Sequence, residues 1–448
     1  MNKNILREYD IRGVVGEDIT EEVSLELGKS YGTYMVRRGS KTVTVGRDGR
    51  LSSESLQAAL VEGIVSTGIN VIDIGLCPSP VLYFSLFNLD VEGGVIVTAS
   101  HNPPEFNGYK VCAGKSTIFG DDIQELGRIA DSGEFEQGKG GVTSHDVVAD
   151  YKQYLKENIH IKKPIKVAMD GGNGTAGMIG APVMRALGCE VTELYCEVDG
   201  TFPNHHPDPT LPENLTDLIA EVTGSDIPIG VAYDGDGDRL GVIDEHGDII
   251  WGDRLLIIFS RELLKEHPGA MIIGEVKCSQ RLYDDIEKHG GEPLMWKTGH
   301  SLIKDKMKET GALLAGEMSG HLFFADRYFG YDDAIYASLR LLEILARTGT
   351  TPSELLADVP KSFVTPEIRV DCPEEKKSDI VEGAKEFFSR NHEVNDVDGA
   401  RIKFPHGWGL VRASNTQPVL VMRFEADSQE HLEEIKSLVE SKVAELSK

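Results

Sequence analysis

The chain has 448 residues, of which 40% are hydrophobic and 27% charged, and its formal net charge is -27. This length allows roughly two to four domains, and the acidic balance disfavours nucleic-acid binding without excluding an anionic substrate. No apolar run approaches the ~20 residues that a membrane span requires, and the first residues lack the apolar core of a secretion signal. The six cysteines form no CxxC pair, which favours reduced thiols in a cytoplasmic protein.

Short apolar runs alternate with helix-like stretches along most of the chain. The predicted strands cover residues 42–46, 71–74, 94–98, 166–169 and 229–233. Between them lie segments such as SSESLQAALVEGIVSTG, in which polar caps precede helically spaced apolar residues. The alternation predicts α/β units. Glycine-bearing loops follow several of these runs, and ligands gather beyond the carboxyl ends of strands in open α/β sheets, so we expect stacked units around a shared cleft.

The end of the chain has a different pattern. A helix is predicted over PEEKKSDIVEGAKEFFSR, and Asp398-Gly399 signals a hairpin before the strands RIKF, WGLVRAS and PVLVMRFEA. The closing helix is expected to bury one face, formed by Leu432, Ile435, Leu438, Val439, Val443 and Leu446. This pattern predicts a final α+β domain. The Gly-rich segment 131–145 and positions near 247 and 360 are the expected boundaries, giving domains 1–146, 147–247, 248–360 and 361–448.

The segment YDGDGDRLG places Asp234, Asp236 and Asp238 at alternate positions. Carboxylates this close either bind a hard cation or repel one another, although a solvated acidic turn is the simpler alternative. An EF-hand loop is disfavoured, because Arg239 stands where its glycine should be and a strand precedes the segment. A magnesium site completed by a phosphate oxygen fits better, and Arg239 could pair with the same phosphate.

A second glycine-rich segment, GGNGTAG, matches the GxGxxG pattern of dinucleotide-binding loops at Gly172, Gly174 and Gly177. Glu193 lies about where a ribose-binding acid would be expected. The motif alone is weak, and a tight strand-to-helix turn is the favoured interpretation.

Two further loops carry polar groups suited to a sugar phosphate. GEMSGH offers Glu317, Ser319 and His321, which could read sugar hydroxyls or merely cap a helix. RASNTQP offers a possible phosphate cradle, for which an ordinary ST-turn is the alternative; its residues are Arg412, Ser414, Asn415 and Thr416. Lys277 and His300 are candidate basic groups, but single residues of these types are usually structural.

Taken together and in order, the segments YDIRG, TASHNPPEFNGYK, DGDGDR, KTGHS, GEMSGH and RASNTQP resemble the α-D-phosphohexomutase family. The likeness spans essentially the whole chain and is strongest to the bacterial and archaeal phosphomannomutase/phosphoglucomutase branch. It implies three similar α/β domains and a smaller α+β C-terminal domain around a central active-site cleft. In order, the domains would carry a phosphoserine loop, a metal loop, a sugar-binding loop and a phosphate-binding loop.

The resemblance also implies a mechanism. The serine of the SHNP loop, Ser100, would carry a phosphoryl group and pass it to a hexose 1- or 6-phosphate through a hexose 1,6-bisphosphate, which also serves as activator. Mg²⁺ would be held by the Ser100 phosphate with Asp234, Asp236 and Asp238. An apolar strand and Pro103 and Pro104 would give that serine a rigid mount.

The remaining roles are carried over by motif. Arg12 and Arg239 would flank the phosphoserine, and Lys110 and His300 would handle protons. Lys277 would reach the sugar phosphate, and Glu317, Ser319 and His321 would lie at the sugar hydroxyls. The non-reacting phosphate would be held by Arg412, Ser414, Asn415 and Thr416.

The expected substrate is a small phosphosugar, mannose and/or glucose phosphate, with no nucleic-acid or membrane partner and a monomer or small homo-oligomer. Met318 is typical of the hexose-phosphate branch, whereas Gln417 departs from its usual threonine. Phosphoglucosamine mutase, a metal-dependent phosphomonoesterase, a nicotinamide-dependent oxidoreductase and a calcium protein are the alternatives.

Overall fold

The computed structural model describes residues 3–414 and 417–447. Within those residues no helix combines the length and apolar character needed to cross a bilayer. The six cysteines all lie in this part and are free thiols. Four sheets, each made from one contiguous stretch of the chain, organise the described residues.

The first sheet is mixed and has the strand order β1-β5-β4-β2-β3-β7, with β6 paired to β5. Its strands are β1 (Ile11–Val14), β2 (Thr42–Arg47), β3 (Asn70–Leu76), β4 (Gly93–Val97), β5 (Phe106–Ala113), β6 (Ser116–Thr117) and β7 (Val142–Ser144). The accompanying helices are α1 (Glu21–Arg37), α2 (Ser53–Val65), α3 (Ser79–Asn88) and α4 (Asp121–Ser132), with a 3₁₀ turn at Lys3–Ile5. The Gly-rich segment after α4 lies against this unit, because Gly138 packs on the backbone of Gly68.

The second sheet has the order β12-β11-β10-β8-β9. This unit contains α5 (Val147–Asn158), β8 (Lys166–Asp170), α6 (Gly177–Ala186), β9 (Glu190–Leu194), a 3₁₀ turn (Pro212–Leu215), α7 (Thr216–Thr223), β10 (Ile229–Tyr233), β11 (Leu240–Asp244) and β12 (Ile249–Ile250).

The third sheet has the order β14-β13-β15-β16. This unit contains α8 (Gly252–Glu266), β13 (Met271–Glu275), α9 (Gln280–Lys288), β14 (Glu292–Trp296), α10 (His300–Thr310), β15 (Leu314–Gly316), β16 (Leu322–Phe324), α11 (Ala334–Thr348) and α12 (Pro352–Leu355).

These three units share one topology that the sequence does not reveal. In each, the strands β3-β2-β4-β5, β9-β8-β10-β11 and β14-β13-β15-β16 are ordered second, first, third, fourth. The first three strands are parallel and the fourth is antiparallel. The loop between the third and fourth strands therefore occupies an equivalent place in every unit, at the carboxyl end of a parallel strand.

The fourth sheet is antiparallel, with the order β17-β22-β21-β20-β19 and β18 paired to β22. This unit contains β17 (Phe363–Val364), β18 (Ile368–Asp371), α13 (Glu374–Phe388), β19 (Val394–Asn395), β20 (Ala400–Phe404), β21 (Gly407–Ala413), β22 (Val419–Ala426) and α14 (Gln429–Leu446). Both helices pack on the sheet, and the hairpin predicted at Asp398-Gly399 joins β19 to β20. The predicted fold class, three similar α/β units and a smaller α+β unit, is confirmed.

One predicted core position is wrong. Leu438 of α14 is 47% exposed, whereas Leu432, Ile435, Val439 and Val443 are buried. At ~100° per residue, position 438 lies about 100° from the centre of the buried stripe, so its side chain points to solvent.

Candidate active site

The loops between the third and fourth strands of the α/β units meet at one place. The first follows β4 and contains Ser100, the second follows β10 and contains the aspartates, and the third follows β15 and contains His321. Ser100 Oγ donates to Asp234 Oδ2 at 2.7 Å, and His321 Nε2 lies 3.2 Å from Asp238 Oδ1. The shared topology thus brings three predicted motifs, distant in sequence, into direct contact.

Glycine is required where these loops touch. A Cβ on Gly235 would lie 2.4 Å from the carbonyl oxygen of Ser100, and a Cβ on Gly320 would lie 2.4 Å from that of Leu240. Gly320 also has a φ of +94°, which side chains disfavour. The glycines of DGDGDR and GEMSGH therefore allow backbone to approach backbone.

Ser100 has the left-handed φ of +50°, unusual for a residue with a side chain, and is buried. The guanidinium of Arg50 holds the loop in place by donating to four carbonyl oxygens. These belong to Ser100 (2.8 Å), Asn102 (2.6 Å), Pro103 (2.7 Å) and Phe106 (3.0 Å). Arg50 is itself paired with Asp48 at 3.2 Å. The strained turn is therefore fixed by a buried cation as well as by the prolines.

Asp234, Asp236 and Asp238 are fully buried, and each offers a carboxylate oxygen within 4.8 Å of the others. Burial, together with the neighbouring carboxylates of Asp238 and Asp236, raises the pKa of Asp234 well above its usual value. Asp236 Oδ1 is buried and has no hydrogen-bond partner among the described residues. An all-oxygen donor set with an unsatisfied buried oxygen suits a hard divalent cation such as Mg²⁺.

Lys110 supplies positive charge to the same cluster. Its ammonium group pairs with Asp236 Oδ2 at 2.6 Å and with Asp238. Burial alone would lower the pKa of Lys110, but Asp236 and Asp238 outweigh it and raise the pKa above the usual value. Lys110 is accordingly a charged counter-ion in this arrangement, and its predicted part in proton handling stays a prediction.

Arg12 contacts the serine loop, whereas Arg239 contacts the aspartate loop, and their predicted place beside a phosphoserine stays a prediction. Arg12 donates to Asn102 Oδ1 at 2.6 Å and to Asp10 Oδ2 at 2.5 Å, and the backbone N–H of Arg239 donates to Asp234 Oδ1 at 3.1 Å. His101, which the sequence analysis missed, lies 3.1 Å from Ser100 Oγ through Nδ1. Burial and the nearby charges of Arg239 and Arg12 lower the pKa of His101 well below its usual value.

Glu317 and His321 form a buried ion pair, with Nδ1 and Oε2 2.5 Å apart. Burial alone would lower the pKa of His321, but Asp238 and Glu317 raise it to about 9. Burial likewise opposes ionisation of Glu317, yet its bond to His321 brings the pKa down to about 2. Ser319 Oγ lies 3.4 Å from Glu317, and the N–H of Gly299 donates to that carboxylate at 2.6 Å. The GEMSGH and KTGHS loops are thus joined.

His300 begins α10 and is buried. Its Nδ1 lies 3.3 Å from Asp332 Oδ2 and 3.3 Å from Lys304 Nζ. Burial and the charge of Lys304 lower the pKa of His300, so the ring is neutral near pH 7 and able to accept a proton. Its ring centroid is 5.6 Å from that of His321, which places it beside the GEMSGH loop.

The fourth unit contacts the third unit near Lys277 and Thr298. Glu367 Oε2 lies 3.1 Å from Lys277 Nζ, and Arg412 Nε donates to Asp398 Oδ2 at 3.0 Å. The same oxygen of Asp398 accepts from the N–H of Thr298 at 3.0 Å. Ser414 is buried, and Lys377 Nζ donates to its carbonyl oxygen at 2.6 Å. The predicted residues Asn415 and Thr416 lie outside the described residues.

Models of a single family match this chain from end to end. The phosphoglucomutase/phosphomannomutase α/β/α domains I, II and III match residues 3–137, 149–247 and 251–363, and the C-terminal domain matches residues 367–442. The chain belongs to the phosphoglucomutase/phosphomannomutase family.

Relatives in this family align over nearly the full length. A Pseudomonas aeruginosa PAO1 protein named phosphomannomutase/phosphoglucomutase is 48% identical over 436 residues, covering 97% of this chain and 94% of its own. A Neisseria gonorrhoeae protein named phosphoglucomutase is 45% identical over 450 residues, covering 98% of each. A crystal structure of a Burkholderia thailandensis phosphoglucomutase/phosphomannomutase family protein matches with a TM-score of 0.95 at 43% identity, covering 100% of this chain and 98% of that one.

In this family member, GGNGTAG packs against the loop that carries the three aspartates. The predicted strand-to-helix turn between β8 and α6 is confirmed. A Cβ on Gly174 would lie 2.7 Å from the carbonyl oxygen of Gly235, and the N–H of Thr175 donates to that oxygen at 3.1 Å. Glu193 is paired with Arg185 on the surface. The glycines therefore admit the neighbouring aspartate loop to close contact.

Besides His101, several residues that the sequence analysis did not select contact predicted ones. Arg50 holds the Ser100 loop, Asp332 faces His300, and Asp398 joins Arg412 to Thr298. Arg50 follows β2 in the segment GRDGR, so the strand-end rule that selected the other loops could have found it. Asp332 and Asp398 carry no comparable signal, because only the packing of distant segments gives them their partners.

Proposed function

We propose that this protein is a phosphohexomutase that interconverts hexose 1-phosphate and hexose 6-phosphate, acting on mannose and/or glucose phosphates. The observation that carries the proposal is the Ser100 hydroxyl, held on a strained buried turn, donating to Asp234 of the three-carboxylate cluster. The names of the full-length relatives support the same activity.

Phosphoryl exchange would proceed in two balanced steps. In the first step, the phosphorus–Oγ bond of phosphorylated Ser100 breaks as a bond forms to the free sugar hydroxyl, whose proton passes to a base, and Ser100 Oγ takes up a proton. In the second step, the bond between the other phosphorus of the bisphosphate and its sugar oxygen breaks as that phosphorus bonds to Ser100 Oγ, which gives up its proton, and the freed sugar oxygen takes a proton. Phosphoryl transfer depends mainly on positioning and charge neutralisation, and Arg12 and Arg239 would neutralise the phosphoryl charge.

The aspartate cluster is the part of the site that fits a metal. Asp234, Asp236 and Asp238, together with the Ser100 phosphate, would hold Mg²⁺, and the unsatisfied Asp236 Oδ1 supports that assignment. When bound, the ion would neutralise charge on the transferring phosphoryl group.

The third and fourth units would bind the sugar and its second phosphate. Glu317, Ser319 and His321 would lie at the sugar hydroxyls, and Lys277 would reach a phosphate. The C-terminal cradle would hold the non-reacting phosphate and consists of Arg412, Ser414, Asn415 and Thr416. His300, neutral and buried beside these groups, is the best-placed proton acceptor, with Lys110 as a second proton-handling candidate.

The choice of sugar is inferred from the hydroxyls that the loops would contact and from the identities of Met318 and Gln417. Contacts to the 3- and 4-hydroxyls do not distinguish glucose from mannose, which differ at carbon 2, so we expect both to react. Met318 favours these hexoses over glucosamine phosphate. Gln417 accepts a hydrogen bond from Arg369 at 3.1 Å, which ties this unusual residue to β18 at the edge of the phosphate loop. Hexose 1,6-bisphosphate is the proposed activator.

The decisive experiment is ³¹P NMR of mannose 1-phosphate with Mg²⁺ and a trace of glucose 1,6-bisphosphate, repeated with glucose 1-phosphate. Conversion of both to 6-phosphates without free phosphate supports the dual-specificity mutase. Release of inorganic phosphate alone would mean a phosphomonoesterase. Reaction of glucosamine phosphate in preference to both would mean a phosphoglucosamine mutase.

We also propose the four domains predicted above, with boundaries at 146/147, 247/248 and 360/361, and a cytoplasmic enzyme that acts as a monomer or small homo-oligomer.

A further inference from the structure

Glu275 is a buried carboxylate in the cleft that has no role in the mechanism above. It is the last residue of β13, the first strand of the third unit, and its side chain is fully buried. A buried carboxylate is costly unless its oxygens are hydrogen-bonded and its charge is opposed. The hydrogen bonds and the opposing charge at Glu275 therefore indicate why a carboxylate is buried at this position.

Three hydrogen bonds from the described residues reach the carboxylate of Glu275, each from a different loop. Oε2 accepts from the N–H of Lys277 at 2.8 Å and from Thr298 Oγ1 at 2.8 Å. Oε1 accepts from the N–H of Met318 at 3.3 Å. The opposing charge is Lys277 Nζ, 4.0 Å from Oε1.

These donors belong to the three loops with which the third unit faces the cleft. The loop after β13 carries Lys277, the loop before α10 carries His300, and the loop after β15 carries Glu317. Thr298 also donates its N–H to Asp398, which binds Arg412, so the connection continues into the fourth unit. One carboxylate thus connects the groups assigned to the sugar, its phosphate and a proton.

We infer that Glu275 is a positioning residue that holds the three substrate-facing loops of the third unit in register and sets the charge environment of Lys277. The inference rests on the proposed function for its kinetic consequences, whereas its structural consequence is independent of that function. Glutamine would keep the size of the side chain but lose its charge. It would also replace one acceptor oxygen by an NH₂ donor, and that donor would face either the N–H of Met318 or the two donors that now bind Oε2. Aspartate would keep the charge but lose the reach.

The test compares wild-type protein with Glu275→Gln, Glu275→Asp and, as a matched control, Asp285→Asn. Asp285 is a buried carboxylate of the same unit, paired with Arg261 at 2.5 Å, and it does not contact these three loops in the hydrogen bonds and ion pairs of the described residues. The first readout is hydrogen–deuterium exchange of peptides covering residues 276–279, 297–300 and 317–321. We expect Glu275→Gln to raise exchange in all three together, whereas Asp285→Asn leaves the second and third unchanged.

The second readout is steady-state kinetics with glucose 1-phosphate. Because these loops contact the substrate in the ground state and the transition state alike, we expect KM to rise about tenfold or more in both Glu275 variants, with a smaller fall in kcat. Mg²⁺ dependence should stay as in wild type, since the metal loop belongs to the second unit. Thermal unfolding of each variant establishes that it is folded.

The two readouts test the positioning role of Glu275 and the proposed function separately. Unchanged exchange in the loops at 297–300 and 317–321, or a wild-type KM in folded Glu275→Gln, would overturn the inference. If Glu275→Asp had the wild-type KM, the negative charge alone would explain the effect. The inference that Glu275 holds the three loops in register would then be overturned. If Glu275→Gln raises exchange in all three peptides together but the wild-type protein shows no mutase activity, the positioning role is retained and the proposed function is rejected.

Discussion

The Ser100 hydroxyl is held by its own backbone geometry and by Asp234, so its position does not depend on a bound ligand. Replacing it by alanine removes one oxygen and no packing. For Ser100→Ala we expect turnover to fall by about a thousandfold or more, because the proposed phosphoryl carrier is gone, with an unchanged melting temperature. A coupled mutase assay checks this, with the exposed Ser55→Ala as the control, and wild-type turnover in Ser100→Ala would refute the carrier role.

Asp236 offers a second test at the scale of one residue. One of its oxygens accepts from Ser79 Oγ at 2.5 Å and pairs with Lys110, and the other is unsatisfied. For Asp236→Asn we expect weaker Mg²⁺ activation, with the half-saturating Mg²⁺ concentration raised about tenfold or more and a lower maximal rate. The measurement is activity across a Mg²⁺ titration, with Asp226→Asn, an exposed aspartate of the second unit, as the control. An unchanged Mg²⁺ response would remove Asp236 from the metal site.

At the scale of elements, one cation organises the turn that presents Ser100. Arg50 donates to four carbonyl oxygens of residues 100–106, and a lysine would keep the charge without the planar, multiple donors. For Arg50→Lys we expect kcat to fall about tenfold to a hundredfold, because the loop loses its fixed geometry, while the overall fold is retained. The assay is kcat together with hydrogen exchange of the 98–106 peptide. A lower kcat without faster exchange in that peptide would contradict the explanation.

At the scale of the whole molecule, a buried polar cluster joins the second and third units. Asp333 caps α11 by accepting from the N–H of Tyr336, and it also accepts from Tyr328 and from Tyr151 of α5. Tyr151 in turn packs on Phe84 of the first unit. Burial raises the pKa of Asp333 from 3.8 to about 7, which its three donors only partly oppose.

This shift predicts a pH dependence of stability with a definite sign. Between about pH 4 and pH 7 the folded protein keeps the Asp333 proton that the unfolded chain has released, so this contribution to the free energy of unfolding falls as pH rises and levels off above about pH 7. The melting temperature of Asp333→Asn should therefore decline less than that of wild type between about pH 5 and pH 7.5. Asp326→Asn is the control, because Arg340 holds the pKa of Asp326 low, despite its burial, and its contribution is lost only in acid. Equal declines in wild type and Asp333→Asn would refute the assignment.

Local sequence patterns were enough to locate most of the elements and to predict the chemistry of single loops. Periodicity and turn residues located β4, β8, β10, α2 and α13 to within a residue or two at most ends, since these signals are local. The aspartate cluster was recognisable because like charges so close together need a common partner, and the order of motifs identified the family. Leu438, near the middle of α14, shows the limit of prediction from periodicity, since an apolar side chain can stay exposed without penalty to the rest of its helix.

How these loops act together depends on contacts between segments that are distant in sequence. The second-first-third-fourth strand order repeats in three units whose sequences do not show it, and it is this order that brings Ser100, Asp234 and His321 into contact. Arg50, Glu275, Asp332 and Asp398 acquire their importance from partners that lie in other loops. Their hydrogen bonds exist only when separate loops fold against one another, and a buried charge is tolerated only where such partners oppose it. A local pattern could therefore select Arg50 by its place after a strand, but it could not predict the contacts of any of the four.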